Sequence, residues 1–291
     1  MAEELVGIIG GTGLGDALAE RLEDMESCEV ETPFGKPSMA IMVGRMGERR
    51  VAFINRHGEG HKLSPSKVPF AANIFALKKL GVRAVLSSAA VGSLREEIRP
   101  GDLVIVDQFI DKTFRRQGSF FEGYGAVHCE MAEPVCRRLR EVLAETAEGL
   151  DVRVHAKGTY VCMEGPQFST RAESLMHRAW GGDLIGMTGM PEAKLAREAQ
   201  MCYALVALAS DYDCWREHEA GKDKRTLLEE IMANMNKAAG NCLELIKAVL
   251  AGGKALVSQD CACRRSLGLA VWTDNKRIDA AEREKLMVLF E

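Results

Sequence analysis

Short apolar runs alternate with stretches of helical spacing along most of the chain. Leu5–Ile9 reads as a strand that runs into Gly10, Gly11, Thr12 and Gly13. Val51–Asn55 reads as a second strand, ending at Arg56 and His57. Over 66–80 the apolar positions Val68, Ala71, Ala72, Phe75, Ala76 and Leu80 recur at helical spacing, and Gly81 supplies a stop. Arg83–Ser88 and Leu103–Val106 are predicted strands, and 134–148 a helix opened by Pro134. Val152–Met163 reads as one long strand and Ser169–Ala179 as a helix. Asp183–Met187 and Met201–Ala209 are strands flanking a helix at Pro191–Gln200. A long amphipathic helix over 226–250 carries Leu227, Leu228, Ile231, Met235, Ala238, Cys242, Ile246 and Val249 on one stripe. This alternation predicts an α/β fold. A boundary near 251–258 sets off a tail, 251–291, expected to pack on the same domain.

The 291 residues, 47% hydrophobic and 27% charged, suit one large domain or two small ones. A net charge of −4 leaves no basic excess for a phosphate backbone, so no nucleic-acid partner is expected. Met1–Leu5 carries no positive n-region, and no apolar run approaches the roughly 18 residues of a membrane span. The expectation is a soluble cytoplasmic protein with no membrane partner.

The nine cysteines include Cys28, Cys162, Cys202 and Cys242 singly in apolar surroundings, as small core hydrophobes sit. Cys261 and Cys263 are the one close pair. A metal there needs further ligands nearby, and no histidine follows, so a local disulfide or two free thiols is favoured and no metal is expected.

Asp211 and Asp213 fall at or just past the carboxyl end of the Met201–Ala209 strand, where ligands bind in open α/β sheets. Two acids there can accept N–H donors of a small molecule and hand a proton to a leaving nitrogen. Gly11, Gly13 and Gly15 give G-x-G-x-G, which fails the dinucleotide fingerprint, and the Walker lysine is missing. The loop is either a tight turn or an anion cradle to which Thr12 adds a hydroxyl. Arg56, with His57, is either a surface charge or a planar fork for phosphate. The small residues around Ala89 and Ala90 serve either close packing or backbone access. Thr188 either caps the following helix or binds an anion. Phe168 is either core or a stacking face for a flat base, and Ser169 is in the first instance a cap. Thr12, Arg56, His57, Ala89–Ala90 and Thr188 each lie at a predicted strand end, so all should point to one edge of the sheet and share one phosphate.

Eleven ordered segments carry a resemblance, among them Gly7–Gly13, Thr32–Ser38, Arg56–Gly58, Gly92–Ile98, Glu164–Ser169, Met187–Thr188 and Asp211–Trp215. They resemble the trimeric purine nucleoside phosphorylase family, and within it the branch that cleaves 5′-methylthioadenosine. The resemblance spans 5–250 and implies a single-domain mixed β-sheet surrounded by helices. It implies phosphate at Thr12, Arg56, His57, Ala89–Ala90 and Thr188, with no metal or organic cofactor and inorganic phosphate as co-substrate. Met187 would touch the ribose and Phe168 the base. Asp211 would act as the acid, and Asp211, Tyr212 and Asp213 would surround adenine. His128 would reach the sugar's 5′ end from a neighbouring subunit of a homotrimer.

Ser169 and the two aspartates favour a 6-aminopurine, where relatives that cleave 6-oxopurines tend to carry glutamate and asparagine. Ala89 replaces a hydroxyl residue common in animal relatives. Lys224 stands near the place of a small apolar residue against the methylthio group, and a buried cation there would oppose a thioether pocket. The Cys261–Cys263 pair looks like one in some microbial members, and Leu289 is a candidate lid for the 5′ site. Two other readings remain: cleavage of 6-oxopurine nucleosides or methylthioinosine, and a non-catalytic purine-binding sensor on the same fold.

Overall fold

The computed structural model describes residues 4–12, 14, 18, 21–217 and 223–291. The expectations for Gly13 and Gly15, and for most of the loop before Lys224, lie outside the described residues. Among the described residues, eleven strands form one sheet. They are β1 (Leu5–Gly10), β2 (Glu23–Cys28), β3 (Ile41–Met46), β4 (Arg49–Asn55), β5 (Ala84–Ser93), β6 (Leu103–Ile105), β7 (Gln108–Asp111), β8 (Val154–His155), β9 (Thr159–Cys162), β10 (Leu184–Gly186) and β11 (Cys202–Tyr212). The described α-helices are α1 (Phe70–Lys79), α2 (Arg137–Ala147), α3 (Arg171–Ala179), α4 (Glu192–Glu198), α5 (Lys224–Ala251) and α6 (Ala280–Leu286).

β4, β1, β5 and β11 run parallel at the centre, with β2 and β3 antiparallel on one flank. Side chains alternate across a strand, and both faces of this sheet are covered, so the central strands are apolar throughout. Tyr203, Leu205, Ala207 and Ala209 of β11 enter one core with α1 and α4. Cys202, Ala204, Val206 and Leu208 enter the other with α2 and α5. The tail joins both: Leu267, Ala270, Leu286 and Leu289 lie in the first core, Leu256 and Cys263 in the second.

Several predicted elements change. Val152–Met163 is two strands, not one, because the chain switches partners at Gly158: β8 pairs with β6, whereas β9 pairs with β10 and β7. The helix expected over 66–80 begins at Phe70, behind a 3-10 turn at Pro65–Lys67 and Pro69, where the ring sterics of proline disfavour an earlier start. The helix expected from Pro134 begins at Arg137, since Cys136 N–H still bonds to Tyr203 O of the sheet (2.8 Å). The stripe predicted along α5 is buried only from Ala238, while Leu228 and Met232 are exposed. Leu289 is fully buried in the first core, so it packs there and is no lid in this chain.

Candidate active site

β5 organises the site because its partner on one side changes midway. Its first half pairs with β1 through Ser87, and its end pairs with β10 at Gly92 and Ser93. Between them, among the described residues, Ser88–Val91 pair only with β11 on the other side. β1 and β10 therefore approach head-on and leave a gap along β5. β10 is antiparallel to β5, which corrects the expectation that Thr188 shares a strand-end edge with the other candidates. Continuing the β10 register carries Thr188 back to the level of Ala89, so it enters the gap from the opposite direction. Ala89 and Ala90 themselves are mid-strand, not terminal.

The end of β1 closes on the gap tightly. Gly11 N–H donates to Ser88 Oγ (3.1 Å). A Cβ on Gly11 would lie 2.5 Å from Ser88 O and 3.0 Å from Arg56 Nη1, which excludes any side chain there. Thr12 follows directly. Thr188 N–H donates to Tyr160 Oη (3.2 Å), and α4 begins after Pro191 without a side-chain cap, so Thr188 does not cap it.

Arg56 is fully buried beneath this gap and is no surface charge. Its Nε and Nη2 grip Glu192 at 2.7 and 2.9 Å. Nη2 also donates to Ser87 Oγ (2.6 Å) and Nη1 to Ser88 O (2.9 Å). Burial alone would favour losing the proton, but the Glu192 carboxylate outweighs it and holds the guanidinium above its ordinary value. Most of the Arg56 fork is thus committed inside the protein, leaving the Nη1 edge nearest Gly11.

His57 turns Nδ1 to Leu63 O (2.7 Å) and stacks on His61 with ring centroids 4.1 Å apart. A carbonyl only accepts, so Nδ1 carries the proton and Nε2 is the acceptor of the neutral ring. Burial first, and then the Arg56 charge, lower its pKa from 6.5 to about 4, against the Leu63 bond. Below about pH 6.5 the unfolded chain takes up a proton that folded His57 refuses until about pH 4, so this group costs stability as pH falls through that window. Urea unfolding at neutral pH and near pH 5 should therefore show a smaller acid loss in His57→Gln than in the parent; an equal loss would remove His57 from this role.

Beyond the gap, β11 carries the acid pair. Its register slips between Ala209 and Asp211, a bulge at Ser210 that re-aims the chain. Ser210 Oγ lies 2.7 Å from Asp211 Oδ1 and 3.2 Å from Val91 O. Asp213 N–H donates to Ser93 O (3.0 Å), and its Cβ sits 3.3 Å from where a Cβ of Gly92 would be. Asp213 is 8% exposed, and its Oδ2 is buried with no hydrogen-bond partner among the described residues. A buried acceptor left so costs roughly 1–3 kcal/mol, more when charged. Tyr212 leaves the strand the other way: its hydroxyl donates to Glu96 O (3.1 Å) and its ring meets Trp215.

Phe168 is 87% exposed, so it is no core residue. Ser169 does not cap α3; Thr170 does, accepting from Glu173 N–H while Glu173 answers in a capping box. Ser169 O instead accepts the Cys214 thiol (3.3 Å), tying this loop beside Asp213. Lys224 is an exposed first residue of α5, so no buried cation results. His128 is exposed as well, held against the tail by its backbone N–H to Ala270 O (2.8 Å) and by Trp272.

Two positioning residues escape a sequence reading. Glu192 accepts from Arg56, Ser87 Oγ (2.6 Å) and Tyr203 Oη (2.8 Å), and so fixes the cation. Arg116 donates to Met187 O and Met190 O, each at 2.6 Å, and to Glu164 O at 2.8 Å. It thereby fastens the Met187–Thr188 loop to the Glu164–Ser169 loop. Burial opposes ionisation of Glu164, but the Ser66 hydroxyl, the Phe114 and Arg115 N–H groups and Arg116 hold it at about 2. A recess of about 470 Å³ lies at the far end of β1, among Glu4, Leu5, Arg50 and Arg83, away from all of these groups.

The chain has counterparts among known proteins. The family model described as Phosphorylase superfamily matches residues 5–251. An S-methyl-5′-thioadenosine phosphorylase of Gloeobacter violaceus is 45% identical over 289 residues, 98% of this chain and 94% of that one. The crystal structure of a methylthioadenosine phosphorylase from an antarctic soil metagenomic library superposes with a TM-score of 0.88 at 41% identity, covering 100% of both chains. Methylthioadenosine phosphorylase from Schistosoma mansoni, solved with adenine, gives 0.78 at 36% identity over 86% of this chain and 91% of that one. The gap along β5, the acids at the end of β11 and these likenesses lead to one conclusion: the chain belongs to the S-methyl-5′-thioadenosine phosphorylase family of the phosphorylase superfamily.

Proposed function

We propose that the chain is a pentosyltransferase that cleaves the C1′–N9 bond of 5′-methylthioadenosine with inorganic phosphate, giving adenine and 5-methylthioribose 1-phosphate. One observation carries the site assignment. The gap beside Ala89 and the acid pair beside Gly92 lie along the same strand. Three residues of strand separate them by about 10 Å, the room a pentose needs between an anion and a base.

In this reading phosphate sits at the gap, met by Thr12, the Ala89–Ala90 backbone and Thr188, with His57 and the Nη1 edge of Arg56 at its rim. One phosphate oxygen attacks C1′ as the bond to N9 breaks. Positive charge builds on the sugar and is met by the dianion. The bonding pair leaves with adenine, which takes a proton at N7 from Asp211. Asp213 Oδ2, which has no partner among the described residues, accepts the 6-amino N–H, Phe168 covers the base and Met187 touches the ribose. Ser169 imposes no charge on the purine edge. The step calls on no redox or metal group. His128 reaches the 5′ end of a substrate in a neighbouring subunit, and the assembly is a homotrimer; a stable, active monomer on sedimentation would remove that part.

Release of free base is the test, measured from 5′-methylthioadenosine and from inosine, each with and without phosphate. Adenine should appear only with phosphate, and inosine should be the poorer substrate by roughly 10⁴-fold, because its 6-oxo group faces an acceptor. Faster cleavage of inosine would overturn the base assignment. Tight adenine binding without phosphate-dependent turnover would make the chain a sensor.

A further inference from the structure

The sequence hides a cluster that folding assembles. Cys261 and Cys263 bracket the start of a 3-10 turn in the tail, Ala262–Arg265. Cys136 is the N-cap residue of α2, and Cys202 opens β11. The four sulfurs all lie within 4.8 Å of one another. Cys136 and Cys261 Sγ are 3.7 Å apart, Cys202 and Cys261 Sγ 3.5 Å. The expectation that the tail pair lacks further ligands fails because the other two come from elements 59 and 125 positions away.

We propose that Cys136, Cys202, Cys261 and Cys263 form a four-thiolate site for Zn²⁺ that staples the tail to the sheet. Zn–S bonds of about 2.3 Å in a regular tetrahedron set sulfurs about 3.8 Å apart, close to the spacing found. Disulfides need about 2.05 Å, and all nine cysteines are free. Four soft sulfur donors select Zn²⁺ over hard cations such as Mg²⁺ or Ca²⁺. Three of the four residues are buried, as a closed structural site requires.

The surroundings suit the net negative charge of such a site. Cys136 stands at the N-terminus of α2, where the peptide dipoles favour an anion. Arg197 is buried and directs Nη1 to Cys263 Sγ at 3.7 Å. The ligand-bearing segments are also fastened to one another: Cys136 N–H to Tyr203 O (2.8 Å), and Ser266 Oγ to Arg197 O (2.6 Å). The site is structural, set on the second core and not along the open stretch of β5. It would fix the part of the tail that leads to Ala270, which holds His128.

The test is anaerobic titration of the full-length, fully reduced protein with Co²⁺. One equivalent per chain should bind with the sulfur-to-metal charge-transfer and intense visible bands of tetrahedral four-sulfur cobalt, and Zn²⁺ should displace it. The Cys261→Ser/Cys263→Ser double variant should lose that spectrum, while Cys28→Ser, outside the cluster, should keep it. No four-sulfur spectrum in the reduced parent protein overturns the proposal, whatever the variants do. So does a spectrum that survives in the folded double variant. Bridges among these four cysteines in the isolated protein, with no metal uptake after reduction, also overturn it in favour of a disulfide pair.

Discussion

Asp211→Asn should lower kcat for 5′-methylthioadenosine by about 10²–10⁴-fold, the range of a lost general acid, and change the KM for phosphate little. The split follows from where the groups sit. Asp211 pairs in register with Gly92, at the far end of the open stretch of β5 from the Gly11–Ser88 contact that borders the anion gap. Asparagine keeps the shape and the Ser210 contact but cannot deliver the proton that N7 takes as C1′–N9 breaks. The loss is made in the transition state, so kcat and kcat/KM for the nucleoside should fall together. Phosphorolysis of a nucleoside whose leaving group needs no protonation should be nearly spared. Equal turnover of the variant and the parent on 5′-methylthioadenosine would take Asp211 out of the acid role, and an equal loss on the activated substrate would make it a binding residue only.

The parts of the fold that sequence exposes are those where one physical cause dominates. β5 and β11 are buried on both faces, so their apolar runs stand out. Glu23–Cys28 is a strand with five of its six residues exposed, paired antiparallel to β3, and its mostly polar side chains do not announce it. Asp211 and Asp213 stand out in sequence as two acids after an apolar run, and folding places them at the end of β11 beside Gly92 and Ser93. The direction from which Thr188 approaches is invisible in sequence, since antiparallel pairing of a three-residue strand leaves no mark on composition. Glu192 and Arg116 were not legible. A charged residue opening a helix or in a polar loop reads as a solvated face, and only folding brings Ser87, Tyr203 and Arg56 around the one and two loop carbonyls beside the other. The pair Cys261 and Cys263 is visible in sequence, but only folding brings Cys136 and Cys202 onto it.

Glu192→Leu should destabilise the protein by about 3–5 kcal/mol, the cost of stranding a buried cation. Arg56 and Glu192 are 0% and 1% exposed, so water cannot take over the lost contacts. The carboxylate also accepts the Ser87 and Tyr203 hydroxyl protons, which would lose that acceptor while the guanidinium loses its counter-charge. Function should suffer separately from stability. Without Glu192 to hold it, the fork that braces Ser88 O and lies against Gly11 is free to turn, and the KM for phosphate should rise. The double variant Arg56→Met/Glu192→Leu separates the two effects. Replacing a buried ion pair by apolar groups of similar size is often neutral or stabilising, so it should regain most of the melting temperature. Phosphate affinity should stay low, because the cation itself is gone. Thermal denaturation with phosphate KM on the same three proteins reads both quantities. A double variant that recovers stability and phosphate binding together would mean that Arg56 serves the fold alone, and that the anion is held by Thr12, Thr188 and the β5 backbone.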